Sequence, residues 1–305
     1  MNEIIFGPVA SRRFGKSLGI DLSPGRKQCN FDCVYCELKP AKPLDHYEEA
    51  LPIDKVLTAV KEGLKEHPDI DVLTVTANGE PTLYPYLAEL VEGLEAIRGE
   101  TRLLILSNAS TIDRPEIRKV LQRFDTVKLS LDCATPRCFK RIDRPTDSVD
   151  LEAIKRGMLA FRRDYDGALI VEILVVEGIN DKPAEIEALN DYLLHLRPDR
   201  IDLGTIDRPP AYRVAPVSYE KLRELSLLFA PVLSVHIASR RDIGAITPSA
   251  YSDEEILHTL AKRPLTAEDV AILFDEPSRK RLEELRQKGR IGLRENHGVK
   301  FFISA

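Results

Sequence analysis

The sequence predicts an α/β fold, with six strands alternating with helices around a parallel sheet, followed by a C-terminal winged helix-turn-helix domain. Two observations predict this. Short β-branched and apolar runs recur between longer segments of helical periodicity, the rhythm of successive βαβ units. Beyond residue 250 that rhythm changes to three short helices and a hairpin.

Taken in order, Gly7 to Lys16 is rich in Gly and Arg and reads as a loop leading into strand one, Ser17 to Ser23. A cysteine-rich loop and a Pro/Lys linker over Lys39–Pro43 follow. Leu51 to Glu66 shows helical spacing at Ile53, Val56, Leu57, Val60 and Leu64. The remaining strands are Ile70–Thr76, Arg102–Ser107, Thr126–Asp132, Ala168–Val176 and Arg200–Thr205. Between and after them lie helices over Tyr84–Arg98, Arg114–Phe124, Leu151–Arg163, Pro183–Leu196 and Tyr219–Phe229. Asp113 is the expected cap of the third helix, with Pro115 in its first turn, and Pro183–Leu196 is expected to be capped near Asp181. Gly244 to Ser252, with Pro248 inside it, divides a domain over 1–245 from one over 250–305. In the second, Ser252-Asp-Glu-Glu255 forms a capping box. Helices follow at Pro264–Leu273 and Pro277–Lys288, with Leu282 and Leu285 facing inward. Arg290–Leu293 and Val299–Ile303 make a hairpin turning at Glu295–Gly298.

Composition excludes several classes. A net charge of −5 over 305 residues does not suit a bulk polyanion binder, so nucleic-acid contact would need local basic patches. No apolar run is long enough for a membrane span, and the N-terminus lacks the pattern of a signal peptide. Five cysteines, three of them in one loop, argue against a disulfide framework and for a reducing, cytoplasmic setting.

That loop is Cys29-Asn-Phe-Asp-Cys33-Val-Tyr-Cys36, just after strand one. Thiolates are the preferred ligands of iron–sulfur clusters, and these spacings let one loop fold around a cubane. Three thiolates leave the fourth iron of a [4Fe–4S] cluster without a protein ligand, which points to chemistry at that iron. The alternatives are a structural zinc site, for which Asp32 or His46 would have to supply a fourth ligand, and three unrelated thiols. In a parallel sheet the active site lies at the C-terminal strand ends, where this loop falls.

The C-x3-C-x2-C spacing resembles the cluster motif of the radical S-adenosylmethionine (SAM) superfamily, in which the residue before the third cysteine is usually aromatic, here Tyr35. Two stretches, Gly7-Pro-Val-Ala-Ser-Arg-Arg-Phe-Gly-Lys-Ser-Leu-Gly-Ile-Asp21 and Gly79-Glu-Pro-Thr-Leu-Tyr-Pro85, resemble the branch with the tRNA wyosine-base synthases and their uncharacterised relatives. The resemblance covers about residues 1–240. It implies a partial (β/α)6 TIM-like barrel, a [4Fe–4S] cluster on Cys29, Cys33 and Cys36, and SAM chelated to the open iron. Reductive cleavage would then yield a 5′-deoxyadenosyl radical.

Other strand ends supply a shell. Asn78-Gly79-Glu80 resembles the family's Gly-Gly-Glu motif, which binds the SAM ammonium; a carboxylate and backbone carbonyls suit that cation. Ser107 and Asn108 can reach the SAM ribose or carboxylate, or Asn108 can simply cap a turn. Along strand four, Lys128, Ser130 and Asp132 share one face opposite Val127, Leu129 and Leu131. A buried parallel strand is usually apolar on both faces, so the ladder suggests a wet, functional interior. Lys128 can bind a carboxylate or sit in a buried ion pair; Asp132 can hold ribose or substrate, and Glu172 joins the same interior. Cys133 and Cys138 are expected to be incidental thiols, with a redox pair, a hydrogen-atom donor or ligands of a second cluster as alternatives. Arg137, Lys140, Arg141 and Arg144, with Arg208 and Arg213, form either a phosphate-binding group or a salt-bridged rim.

The expected activity is radical generation from SAM and hydrogen abstraction from a substrate, with tRNA base modification implied by the branch resemblance. Partners would be a flavodoxin- or ferredoxin-type one-electron reductant and an RNA or peptide substrate. The absence of cysteines before Cys29 sets the chain apart from archaeal-type wyosine synthases, which carry a second cluster there. The alternative is a nucleic-acid-binding iron–sulfur redox sensor that reads out through the winged helix. Residues 250–305 carry ten acidic and ten basic residues, a weak footprint for DNA despite the basic run Ser278-Arg-Lys-Arg281.

Overall fold

The computed structural model describes residues 4–11, 14–237, 248, 250–262, 264–296 and 299–305. An eight-stranded sheet runs β1 (Ile5–Ser11), β2 (Gly15–Asp21), β3 (Val72–Thr76), β4 (Arg102–Ser107), β5 (Thr126–Ser130), β6 (Ala168–Val175), β7 (Arg200–Thr205) and β8 (Val235–Ile237), neighbours in space as in sequence. From β2 to β8 every pairing is parallel. The crossovers carry α1 (Ile53–Glu66), α2 (Leu87–Ile97), α3 (Pro115–Leu121), α4 (Pro136–Ile142), α5 (Leu151–Arg163), α6 (Pro183–Leu196) and α7 (Tyr219–Ser226). This mostly parallel sheet is consistent with the partial barrel expected.

Three features depart from the sequence reading. The segment read as a loop contains β1, an antiparallel edge strand whose register shifts between Phe6 and Val9. Gly7 and Pro8, which masked it, sit in that irregularity, where a sheet tolerates them. The short strand β8 adds a seventh parallel member. Helix α4 falls in what read as a charged loop. Two caps also differ: α3 starts from Arg114, and α6 from Lys182, while Asp181 accepts the Gly178 N–H at 2.9 Å.

The helices bury their apolar stripes against one face of the sheet. Val75, Ile105, Val127, Leu129, Val171, Ile173 and Leu203 there are fully buried, as are Val60, Leu90, Leu94, Met158, Phe161, Leu189 and Leu193 on the helices. Each such side chain contributes about 1.5–3 kcal/mol on burial, so this layer supplies most of the apolar burial that fixes the strand ends.

Beyond it, α8 (Asp253–Lys262), β9 (Leu265–Thr266), α9 (Ala267–Leu273), α10 (Glu276–Gln287), β10 (Ile291–Asn296) and β11 (Val299–Ser304) follow in order. The three strands form an antiparallel sheet ordered β10-β11-β9. A separate core of Ile256, Leu260, Phe274, Leu282, Leu285 and Ile291 holds these elements together. The capping box forms as expected, with Ser252 N–H on Glu255 at 2.6 Å and Glu255 N–H on Ser252 at 3.3 Å. Of the expected hairpin turn, His297 and Gly298 lie outside the described residues, as do 244–247 and 249 of the expected interdomain break. Tyr251 OH donates to the Pro8 carbonyl, and Arg294 to the Pro210 carbonyl at 3.2 Å.

Candidate active site

The cysteine loop leaves β2 and is fixed to the end of β3 by Gln28. Its N–H donates to Asn78 O at 2.8 Å, and its carbonyl accepts from Glu80 N at 3.0 Å. Its side-chain amide donates to Ser23 and Glu49 O and accepts from the Glu48 and Glu49 N–H groups. Gly79 makes this approach possible. It has φ +150°, and a Cβ there would lie 1.8 Å from Gln28 O.

Cys29, Cys33 and Cys36 are all unpaired thiols of intermediate burial. Among the described residues, the one set of three donors lying within 4.8 Å of one another is Cys133, Cys138 and Glu185. The three loop sulfurs are therefore spread wider than that. A single zinc with bonds of about 2.3 Å cannot span three thiolates so placed, whereas a polynuclear cluster can. The zinc alternative also lacks its fourth ligand: Asp32 is bonded to Lys27 at 2.9 Å and to Tyr212 OH, and His46 is exposed. Burial pushes the Cys29 thiol up to about 12 and the Cys33 thiol well above its ordinary value. Cys36 is raised by burial against the opposing charge of Lys27. Loading with iron must therefore displace protons from buried sulfurs. Around them, the Phe31 N–H reaches Cys29 Sγ at 3.4 Å, and Asn108 Nδ2 lies 3.6 Å from the same sulfur.

Glu80 is fully buried after β3, and its carboxylate is engaged within the chain. Oε1 accepts from Thr82 N, Thr82 Oγ1 and Ser107 Oγ, and Oε2 from Asn108 N at 2.6 Å. It locks the ends of β3 and β4 together. Burial raises its pKa, and the bonds from Asn108, Thr82 and Ser107 oppose the rise. Glu80→Gln would place an amide N–H₂ against one of these donors. It is expected to cost about 1–3 kcal/mol, read from the urea midpoint of the apoprotein. Asn108 caps a turn through Ser110 N at 3.0 Å and donates to Asn30 Oδ1 at 3.0 Å, so it serves the turn and the cysteine loop together.

Past β5, Asp132 is also buried. Oδ2 accepts from Tyr35 OH at 2.6 Å, and Oδ1 from Leu174 N at 2.7 Å. Asp143, at the C-terminal end of α4, bonds to Asp132, and Cys33 Sγ–H reaches its Oδ1 at 3.5 Å. Burial raises both carboxyls, and the charge of Asp132 raises Asp143 further. Tyr35, Asn108, Ser130, Asp132, Asp143 and Phe31 line a small cavity at this point. Helix α4 also braces the cysteine loop directly. Val34 N donates to Ile142 O at 2.8 Å, Asp32 N to Asp143 O at 3.1 Å, and Phe31 packs edge-on against Phe139. Sequence reasoning missed Asp143, Gln28 and α4. The signal for α4 was Thr135-Pro136, a cap followed by proline at N1.

Cys133 and Cys138 are joined in a disulfide, which corrects their reading as incidental thiols. The first turn of α4 brings Cys138 back over the strand end, a proximity invisible while the segment read as a loop. Glu185 beside them accepts from Ala134 N, Thr135 N and Thr135 Oγ1, so it holds the α4 entry. Of the basic residues, Arg208 pairs with Glu37 at 2.6 Å and Arg144 stacks on Tyr212 at 4.5 Å. The β7–α7 segment carrying Arg208 and Tyr212 crosses the third cysteine, with Ala211 N on Cys36 O at 2.8 Å. Arg137, Lys140, Arg141 and Arg213 are exposed around it.

An eight-stranded α/β sheet with three free thiols at its C-terminal edge defines an iron–sulfur protein of barrel type. The chain belongs to the radical SAM superfamily, whose model matches residues 26–189. It is 39% identical over 302 residues to a UPF0026 protein of Helicobacter pylori strain J99, covering 99% of this chain and 97% of that one. Among solved structures it is similar to a radical SAM methyltransferase from Sphaerobacter thermophilus (TM-score 0.55, 16% identity, 74% of this chain and 67% of that one). It is also similar to Streptococcus suis SuiB bound to precursor peptide SuiA (TM-score 0.57, 15% identity, 73% and 49%). The family's cofactors are a [4Fe–4S] cluster and SAM, and the three spread thiols fit the cluster. No helix among the described residues is long and apolar enough to cross a membrane.

Proposed function

We propose that the protein is a radical SAM enzyme acting on a substrate held over the barrel. The observation that carries this is the set of three free thiols, spread beyond the span of one metal ion, at the C-terminal strand ends. When bound, the cluster supplies the electron that cleaves SAM to a 5′-deoxyadenosyl radical, which abstracts hydrogen from the substrate. Cys29, Cys33 and Cys36 hold the cluster, while α4 and Gln28 fix the backbone between them. With the Glu80 carboxylate engaged by its four donors, Asn78 O accepting from Gln28 N and Glu80 O from Leu83 N, the Gly79 carbonyl between them is the backbone acceptor offered to the SAM ammonium. Tyr35, Ser107, Asn108, Ser130 and Asp132 shape the pocket beside it. Packing of Phe31 on Phe139 and the bond of Ala211 N to Cys36 O brace the loop from two sides.

Residues 1–245 form the catalytic unit and 250–305 a winged helix-turn-helix, a reading supported by the three helices, the antiparallel sheet and the separate core. That unit recruits an RNA or peptide, with a tRNA base as the finest reading, and a flavodoxin- or ferredoxin-type protein supplies electrons in the cytoplasm. Anaerobic reconstitution with iron and sulfide, followed by SAM and dithionite, should produce 5′-deoxyadenosine. No product from a protein with full iron content, together with specific DNA binding, would instead support the redox-sensor reading.

A further inference from the structure

Helix α4 carries a charged face that the site above does not use. Its side chains Cys138, Phe139 and Ile142 are buried, and the face they form meets the cysteine loop. Phe139 packs on Phe31, and the Ile142 carbonyl accepts from Val34 N at 2.8 Å. With about 3.6 residues per turn, Arg137, Lys140 and Arg141 fall on the opposite face, and all three are exposed. Among the described residues, none of the three has an acidic partner within salt-bridge distance. Past the Asp143 cap, Arg144 stacks on Tyr212 at 4.5 Å, and Arg213, next in the chain to that tyrosine, is exposed too.

The acids bordering this patch are mostly committed elsewhere. Asp32 is held by Lys27 and Tyr212, Glu37 by Arg208, and Glu185 by the first turn of α4, while Asp143 is buried. Asp147 and Asp150 are exposed on the loop that follows, and Asp150 caps α5. A chain of net charge −5 thus presents a cationic surface directly behind its cysteine loop. Cations in the last turn of a helix complement its dipole by about 0.3–1 kcal/mol each. That accounts for Lys140 and Arg141. It does not account for Arg137, in the first turn where a cation is unfavourable, nor for Arg213.

The position of the patch selects its occupant. Helix α4 stands between it and the thiols, so a polymer lying on the outer face cannot place a reacting group over the strand ends. An electron needs no such contact and has about the thickness of one helix to cross, roughly 10 Å. An acidic protein is repelled by the net charge of the rest of the chain and drawn to this face, so the patch sets both its rate of encounter and its orientation.

We infer that Arg137, Lys140 and Arg141 on the outer face of α4 form the docking surface for an acidic one-electron carrier protein. What the electron does rests on the radical SAM reading; the docking does not. One electron leaves the carrier and is gained by the cluster that Cys29, Cys33 and Cys36 hold, with no bond made or broken. Calorimetric titration of the full chain, apo and cluster-loaded, with a flavodoxin of acidic surface tests the docking. Both forms are expected to bind it, at least tenfold more weakly in about 0.3 M salt than in about 0.05 M. Arg137→Gln/Lys140→Gln/Arg141→Gln should weaken binding at least tenfold at the lower salt, with an unchanged melting curve. Lys65→Gln/Arg163→Gln/Arg197→Gln removes equal charge from exposed residues at helix C-terminal ends, at the opposite end of the barrel, and should leave binding as it was. The α4 variant should form 5′-deoxyadenosine at the wild-type rate with dithionite, which needs no docking, and at least tenfold more slowly with reduced flavodoxin. Failure of the wild type to bind flavodoxin, equal affinity in the α4 variant, or loss of a single-stranded RNA oligonucleotide rather than flavodoxin from that variant would overturn the inference. Docking lost in the α4 variant, with no 5′-deoxyadenosine from wild type under either reductant, would reject only the enzymatic reading. Dithionite-driven 5′-deoxyadenosine formation with flavodoxin affinity independent of α4 would reject only this one.

Discussion

Replacing Cys33 by alanine is expected to leave a folded protein that holds no stable cluster and makes no 5′-deoxyadenosine from SAM. The loop backbone on either side of Cys33 is tied to α4 by Asp32 N–Asp143 O and Val34 N–Ile142 O, bonds that do not involve the thiol. The fold should therefore survive. The cluster should not, because a [4Fe–4S] cubane with two protein thiolates has two irons open to solvent. Iron content after anaerobic reconstitution should fall from about four per chain to below about one, and Cys29→Ala and Cys36→Ala should behave alike. Cys138→Ala is the contrasting case. It opens the disulfide at the start of α4 but removes no proposed ligand, so iron should be retained. Equal iron in Cys33→Ala and wild type would refute the ligand assignment.

Gly79→Ala is expected to be the most damaging single-methyl change in the barrel. The added Cβ would sit 1.8 Å from the Gln28 carbonyl, and the residue must keep φ +150°, a conformation that L side chains rarely adopt. Backbone cannot yield as a flexible side chain would, so the bridge between Gln28 and Gly79 must open. The cost should reach about 3 kcal/mol or more, the upper end for overpacking plus the backbone penalty. Urea unfolding would report it, and iron incorporation should fall as well, because Gln28 immediately precedes Cys29. Gly204→Ala provides the internal control, since its Cβ enters open space and should change stability by under about 1 kcal/mol.

Much of the architecture was legible in the residues because its signals are local. β-branched and apolar runs marked the six central strands, and of the polar ladder read as a wet interior Lys128 and Asp132 are buried in the structure while Ser130 is half-buried. The cysteine spacing located the reactive edge. What stayed hidden depends on contacts distant in sequence or on very short elements. β1 is interrupted by Gly7-Pro8 and exists through its pairing with β2. β8 has three residues and no periodicity to read. The seven residues of α4 include two arginines and a lysine, so a helix that braces the cysteine loop looked like a charged linker. With α4 hidden, a Cys133–Cys138 pair stayed one alternative behind incidental thiols, and the contact of Asp132 with Asp143 could not be foreseen. Glu80 was expected to face a ligand amine; its four internal donors come from Thr82 and from the end of β4, and only the fold brings β4 to it.

The central claim is that three thiolates hold a cluster whose fourth iron is open to SAM. Electron paramagnetic resonance of the dithionite-reduced protein, recorded with and without SAM, tests it most directly. The account predicts a reduced [4Fe–4S] signal whose g-values shift when SAM is added, in proportion to SAM bound. A protein with full iron whose signal SAM leaves unchanged would contradict it.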